Sequence, residues 1–231
     1  MDRARAREIG VCKMAEFRWF GHNCFRIRAR EATILTDPLD RGTGYAMAKQ
    51  TADIVTISHD HPGHSNLSVV KPEYQIVRGP GEYEMHGVFI TGVRTYHDES
   101  DGAERGYNTA YLIELEGMVI CHLGDLGHPL TVEQAEAMSK IDILLVPAGG
   151  GVVLDPIQAA ETIGQLEPKI VIPMQYATSI GDTALGGLDP FTKQLGLTAP
   201  PPEDKLVIRH ADLGETVRVL TLQPESEAAK R

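Results

Sequence analysis

The sequence predicts an α/β domain in which two β-sheets pack together with helices on their outer faces. Three observations predict it. The stretch from Glu16 to His122 breaks into short β-rich runs, and the stretch from Thr131 onward alternates helix-like segments with apolar strands. With 231 residues, 42% of them hydrophobic, the chain has enough apolar material for one sizeable core.

Taken in order, residues 1–15 mix Arg, Ala and Glu without an apolar face and are expected to form a flexible extension, with Met14 an alternative start to Met1. The domain is expected to span residues 16–224, leaving a loose polar tail at 225–231. Phe17 to Phe20, Cys24 to Arg28 and Thr33 to Thr36 read as an antiparallel meander, because Gly21-His22-Asn23 and Arg30-Glu31 separate them as turns. Ile54 to Ile57 and Gln75 to Val77 are short apolar strands, and Gly79-Pro80-Gly81-Glu82-Tyr83 reads as a tight turn. Val88 to Tyr96 follows, then Thr109 to Glu114, which turns through Glu116-Gly117 into Met118 to His122. A helix is expected from Thr131 to Lys140, then a strand from Ile141 to Val146. Asp155-Pro156 supplies an N-cap and first turn for a helix to about Leu166. Lys169 to Pro173 is a strand, Asp189 to Leu195 a helix, and Leu206 to Leu222 a terminal strand. Gly149-Gly150-Gly151 either gives a substrate close access to the backbone or permits a bend.

Composition narrows the function. The longest apolar runs, Ile143 to Val146 and Met118 to Cys121, fall far short of the roughly 20 residues of a membrane span, and Arg3, Arg5 and Arg7 are followed by no apolar signal region. A cytoplasmic location is expected. Cys12, Cys24 and Cys121 are odd in number and scattered, which fits reduced thiols. A net charge of −10 opposes binding to phosphate backbones, so nucleic acid is not an expected partner, while homo-oligomerisation stays open.

Chemistry concentrates in Ser58-His59-Asp60-His61-Pro62-Gly63-His64-Ser65, where three histidines follow an apolar strand within six residues. Imidazole nitrogens suit zinc and other first-row metals, and His59 and His61, two apart, can face one side of an extended segment. Read alone, His97 is a strand-end histidine satisfied by hydrogen bonds, and Asp125 is a turn residue. His86, His122, His128 and His210 read as surface or packed histidines.

Around this loop stand Gly21-His22-Asn23-Cys24-Phe25, Thr36-Asp37-Pro38, Thr95-Tyr96-His97, His122-Leu123-Gly124-Asp125 and Pro173-Met174-Gln175-Tyr176. In that order the motifs resemble the metallo-β-lactamase superfamily, over roughly Glu16 to Leu222, and most of all the branch that includes ascorbate-6-phosphate lactonase and predicted metal-dependent hydrolases. The resemblance implies an αββα sandwich of two mixed sheets. It also implies a metal at His59, His61 and His97, with Asp125 bridging toward a second position that His64 would share. Asp125 and His64 are the implied catalytic groups, and His22 and Gln175 the implied substrate-binding ones.

Two positions depart from the pattern. Gly63 stands where the signature His-x-His-x-Asp-His has its Asp, and Gln175 where Pro-Met-His-Tyr has its His. The expectation is therefore one divalent transition metal, zinc or manganese, with the second weak or absent. Asp60 and Asp98, beside the ligands, are expected either to accept histidine N–H groups or to lie solvated in loops. The expected activity is hydrolysis of a small ester, lactone or phosphorylated substrate. The alternative is a member that keeps the fold as a binding or sensing protein.

Overall fold

The computed structural model describes residues 14–225. Thirteen strands and three α-helices are described: β1 Ala15–Gly21, β2 Cys24–Arg28, β3 Thr33–Thr36, β4 Ile54–Ile57, β5 Gln75–Arg78, β6 Gly81–Met85, β7 Val88–Tyr96, β8 Tyr107–Leu115, β9 Met118–His122, α1 Val132–Ala137, β10 Ile143–Pro147, α2 Pro156–Leu166, β11 Ile170–Met174, α3 Asp189–Gln194, β12 Leu206–Ile208 and β13 Arg218–Val219. One mixed sheet has the order β12-β1-β2-β3-β4-β5 and the other β13-β11-β10-β9-β8-β7-β6. The β1-β2-β3 meander is antiparallel as expected, and β3, β4 and β5 then run parallel.

The apolar runs explain the sandwich. In β10, Ile143 and Leu145 face the core between the sheets while Leu144 and Val146 face the core beneath the helices. Ile120 and Cys121 of β9 divide the same way. A strand with both faces covered gains from an unbroken apolar sequence, which is why these runs do not alternate with polar residues. The inter-sheet core joins Phe17, Trp19 and Ile54 to Tyr111, Ile120 and Ile172. Met138, Ile163 and Phe191, in or beside the three helices, cover the outer face of the second sheet. The outer face of the first sheet is covered by loop residues, among them Leu39, Tyr45 and Val70, packed on Leu35, Val55 and Ile57.

Local chemistry sets the helix starts. Thr131 and Gln134 form a reciprocal capping box at α1, and Asp155 with Gln158 does the same at α2, where Pro156 occupies the first turn. Helix α1 stops at Ala137 rather than Lys140, and Lys140 has a left-handed φ of 64°.

Three expectations are corrected. The turn read at Gly79 to Tyr83 is confined to its start, since residues 81–85 form strand β6 paired antiparallel with β7. The terminal strand is two short strands in different sheets: β12 pairs with β1, β13 pairs with β11, and a 3-10 turn at residues 210–212 lies between them. Ala15, placed outside the fold by the sequence, is fully buried in β1 opposite Ile208. Residues 1–13 and 226–231, including Cys12, lie outside the described residues, while Cys24 and Cys121 are free and buried.

Candidate metal centre

Strands β3, β4, β7, β9 and β11 all deliver their C-terminal ends to one edge of the sandwich, and the β1–β2 turn reaches the same edge. Residues 22, 37, 59, 61, 64, 97, 125 and 175 meet there through side-chain contacts.

The buried run of β4 brings the chain to Ser58, after which the loop folds tightly. His64 N–H and Ser65 N–H both donate to the His61 carbonyl, at 2.8 and 3.0 Å. This turn gathers the three imidazoles, with ring centroids of His59 and His64 4.3 Å apart and those of His59 and His61 5.9 Å apart. His97, from the end of β7, brings its ring to 5.1 Å from His59.

Asp37, fully buried after β3, anchors the loop. Its Oδ1 accepts Ser58 N–H at 2.8 Å, and its Oδ2 accepts the Ser58 hydroxyl at 2.6 Å and His64 Nδ1–H at 2.9 Å. Since the Ser58 hydroxyl is committed to Asp37, its oxygen accepts His59 Nδ1–H at 3.1 Å. The lone pair of His59 is thereby left on Nε2, which is buried without a hydrogen-bond partner among the described residues.

Asp125 sits at the centre. Gly124 before it has a φ of 58°, and a Cβ there would collide with Asn108 and Ser58, so the approach needs glycine. Asn23 Nδ2 donates to Asp125 Oδ1 at 2.6 Å and Gln175 Nε2 to Oδ2 at 3.0 Å. Oδ2 also lies 3.3 Å from His64 Nε2 and 3.2 Å from His97 Nε2. Although His97 Nε2 is at ion-pair distance, it makes no hydrogen bond. Ring nitrogens packed this closely around a carboxylate, with His59 Nε2 and His97 Nε2 left without a hydrogen bond, are arranged as ligands around an ion are.

Electrostatics agree. Burial pushes His59 down to about 4, so near neutral pH it is the uncharged imidazole that ligates metals. Burial raises Asp125, but the charge of His64 and the close ring nitrogens of His64 and His97 at its Oδ2 outweigh it and hold the carboxyl well below its usual range. Burial lowers His64, yet the Asp125 and Asp37 carboxylates lift it to about 10. Three groups place their ligand atoms within 4.8 Å of one another: His59, His61 and His64; His59, His97 and Asp125; and His22, His64 and Asp125.

All seven residues singled out from the sequence, His22, His59, His61, His64, His97, Asp125 and Gln175, converge. Asp60 and Asp98 do not join them. The Asp60 side chain is 81% exposed near Arg78, and Asp98 accepts the backbone N–H groups of Ser100, Gly102, Glu104 and Arg105, closing the loop after His97. Gly149 permits close packing on the Gln175 carbonyl rather than opening a path. The sequence reading gave no role to Asp37, Asn23 or Asp182. Asp37 was signalled by its Thr36-Asp37-Pro38 context, whereas Asp182, bonded to His22 Nδ1 at 2.9 Å, carries no local signal. Beside His59 a cavity of about 390 Å³ opens, lined in part by Arg78, Arg94, Arg105 and Tyr107.

A model of the β-lactamase superfamily domain matches residues 16–175. The chain belongs to the metallo-β-lactamase superfamily. It is similar to a UPF0173 metal-dependent hydrolase of Thermococcus onnurineus, 32% identical with 71% of this chain and 86% of that protein covered. A Pyrococcus abyssi relative of the same description is 27% identical and covers 93% of this chain and 99% of its own. Among solved structures, a proposed zinc-dependent hydrolase of the superfamily from Thermotoga maritima superposes with a TM-score of 0.73 at 36% identity, covering 91% of this chain and all of that one. This superfamily member therefore has metal-dependent hydrolases for relatives, and no described helix is long and apolar enough to cross a membrane.

Proposed function

We propose that this superfamily member is a hydrolase of small anionic substrates, phosphorylated esters or lactones, working with a divalent transition metal held by His59, His61, His97 and Asp125. The observation that carries the reading is the pair of buried, unpartnered nitrogens, His59 Nε2 and His97 Nε2, beside a carboxylate that stays ionised. Such a donor set fits zinc or manganese. Bound there, the metal supplies Lewis acidity and brings the pKa of water toward neutrality.

The chain's own groups do the rest. Asp37 and Ser58 fix the tautomers and directions of His64 and His59. His64, buried with Nδ1 on Asp37 and Nε2 3.3 Å from Asp125 Oδ2, ties the loop to the central carboxylate. Arg78, Arg94 and Arg105 give the adjoining cavity a positive lining in a chain of net charge −10, which favours a phosphorylated or carboxylated substrate over a neutral one.

A binding or sensing role is the second reading, motivated by Gly63 and by Gln175, whose amide offers Asp125 a donor where a ligand was expected. Metal quantification by mass spectrometry on protein prepared without affinity metal, for the parent and His61→Ala, tests the first reading together with a panel of phosphoesters, phosphorylated lactones and neutral esters. Metal content that falls by one equivalent in His61→Ala, and turnover confined to the anionic substrates, support it. Metal without turnover on any of them favours the binding protein, and absence of metal after zinc and manganese loading sinks the hydrolase.

A further inference from the structure

His22 was expected to touch substrate, and Gly63 to cost the chain its second ion. The geometry points to a different outcome: we infer that His22, His64 and Asp125 form a second divalent-cation site, with the His22 imidazole standing where a side chain at position 63 would reach. Because the site is read by stoichiometry, it stands whether or not the chain turns over a substrate.

Proton bookkeeping at the two histidines leads there. His22 Nδ1 lies 2.9 Å from Asp182 Oδ1, and His64 Nδ1 lies 2.9 Å from Asp37 Oδ2. A carboxylate only accepts, so both Nδ1 atoms carry hydrogen, and in the neutral imidazoles both lone pairs fall on Nε2. These two Nε2 atoms face each other at 3.0 Å, and Asp125 Oδ2 lies 3.3 Å from that of His64. Three acceptors thus converge on one point. Either a proton on His64 or a cation must stand among them. Donors about 2.0–2.1 Å from a first-row ion lie roughly 3.0–3.4 Å from one another, which these separations match.

Glycine at 63 makes room for this arrangement. A Cβ at Gly63 would lie 3.5 Å from His22 Nε2 and 3.3 Å from His61 Nδ1, so any larger side chain would contest the space His22 occupies. His22 is held in place from behind: its φ of 49° turns it inward between β1 and β2, and Asp182, its side chain 6% exposed and its φ 54°, fixes its ring. Carboxylate–histidine pairs of this kind orient a ligand and raise its basicity.

The test is titration of metal-free protein with zinc alone, followed by calorimetry and mass spectrometry, on the parent, His22→Ala, His61→Ala and His22→Ala combined with Gly63→Asp. Two equivalents are expected in the parent, with the weaker one lost in His22→Ala and restored by Gly63→Asp, whose carboxylate enters the vacated space. Asp182→Asn should weaken that equivalent about 10- to 100-fold. His61→Ala should remove the other equivalent and leave the His22-dependent one. Circular dichroism before titration excludes variants that fail to fold, in which case His22→Gln takes the place of His22→Ala. One equivalent in the parent, unchanged in His22→Ala, overturns the second site while leaving the hydrolase reading intact. Two equivalents that ignore His22 place the second ion elsewhere and overturn it as well. Two equivalents behaving as expected without hydrolysis would support the site and refute the hydrolase.

Discussion

Gln175 Nε2 donates a hydrogen bond of 3.0 Å to Asp125 Oδ2, the same oxygen that lies 3.2 Å from His97 and 3.3 Å from His64. The amide stabilises the carboxylate while holding one of its lone pairs away from a cation. Replacing Gln175 by His removes that donor and adds an imidazole, so Gln175→His should bind zinc at least about tenfold more tightly than the parent, read by calorimetry. Unchanged affinity would mean that position 175 does not face the ion.

Asp37 Oδ2 lies 2.9 Å from His64 Nδ1, and both residues are almost completely buried. Asp37→Ala should destabilise the fold by about 3–5 kcal/mol in denaturant unfolding, because it leaves a buried polar pair broken. Asp37→Asn keeps the volume and should lose less stability but still weaken metal binding. A stability loss below about 1 kcal/mol for Asp37→Ala would show that the loop does not depend on this anchor.

Arg78 and Arg105 flank the cavity beside His59, and the Arg94 guanidinium stacks over the Tyr107 ring, 4.8 Å from its centroid. Alanine at any of the three should raise KM for a phosphorylated substrate roughly tenfold, the size of one lost charge-assisted contact, and leave kcat near its parent value. Neutral esters should be indifferent to the change. Equal losses on both substrate classes would argue that the arginines support the loop rather than the ligand.

Four backbone N–H groups hold the Asp98 carboxyl at about 2 against the rise that burial would cause. A carboxyl depressed in the folded state contributes stability that is present above its ordinary value of about 3.9 and is lost as pH falls toward 2. Asp98→Asn should therefore melt below the parent at pH 7, with the gap narrowing below about pH 4. A gap independent of pH would assign the effect to shape instead of charge.

Removing the metal should also lower the melting temperature, since an ion that binds only the folded chain adds about 2.7 kcal/mol at a free concentration 100 times its Kd. Chelation that leaves melting unchanged would contradict a bound ion.

Much of this molecule is local in origin. The apolar runs at Ile54 to Ile57 and Ile143 to Val146 are strands because both faces are covered, and Thr131 and Asp155 start helices because their side chains satisfy free N–H groups within three residues. The histidine loop was legible for the same reason: His59, His61 and His64 lie within one turn of chain. The tail was misread as one strand because which sheet receives residues 206–208 and 218–219 depends on partners far away in sequence, β1 and β11. At the site, sequence order alone brought His97, Asp125 and Gln175 into view through a family pattern. Only the tertiary structure placed Asp182 behind His22, 160 residues apart, and set His22 against His64. Those contacts arise when separate loops meet at the edge of two sheets, and no periodicity or neighbouring residue encodes that meeting.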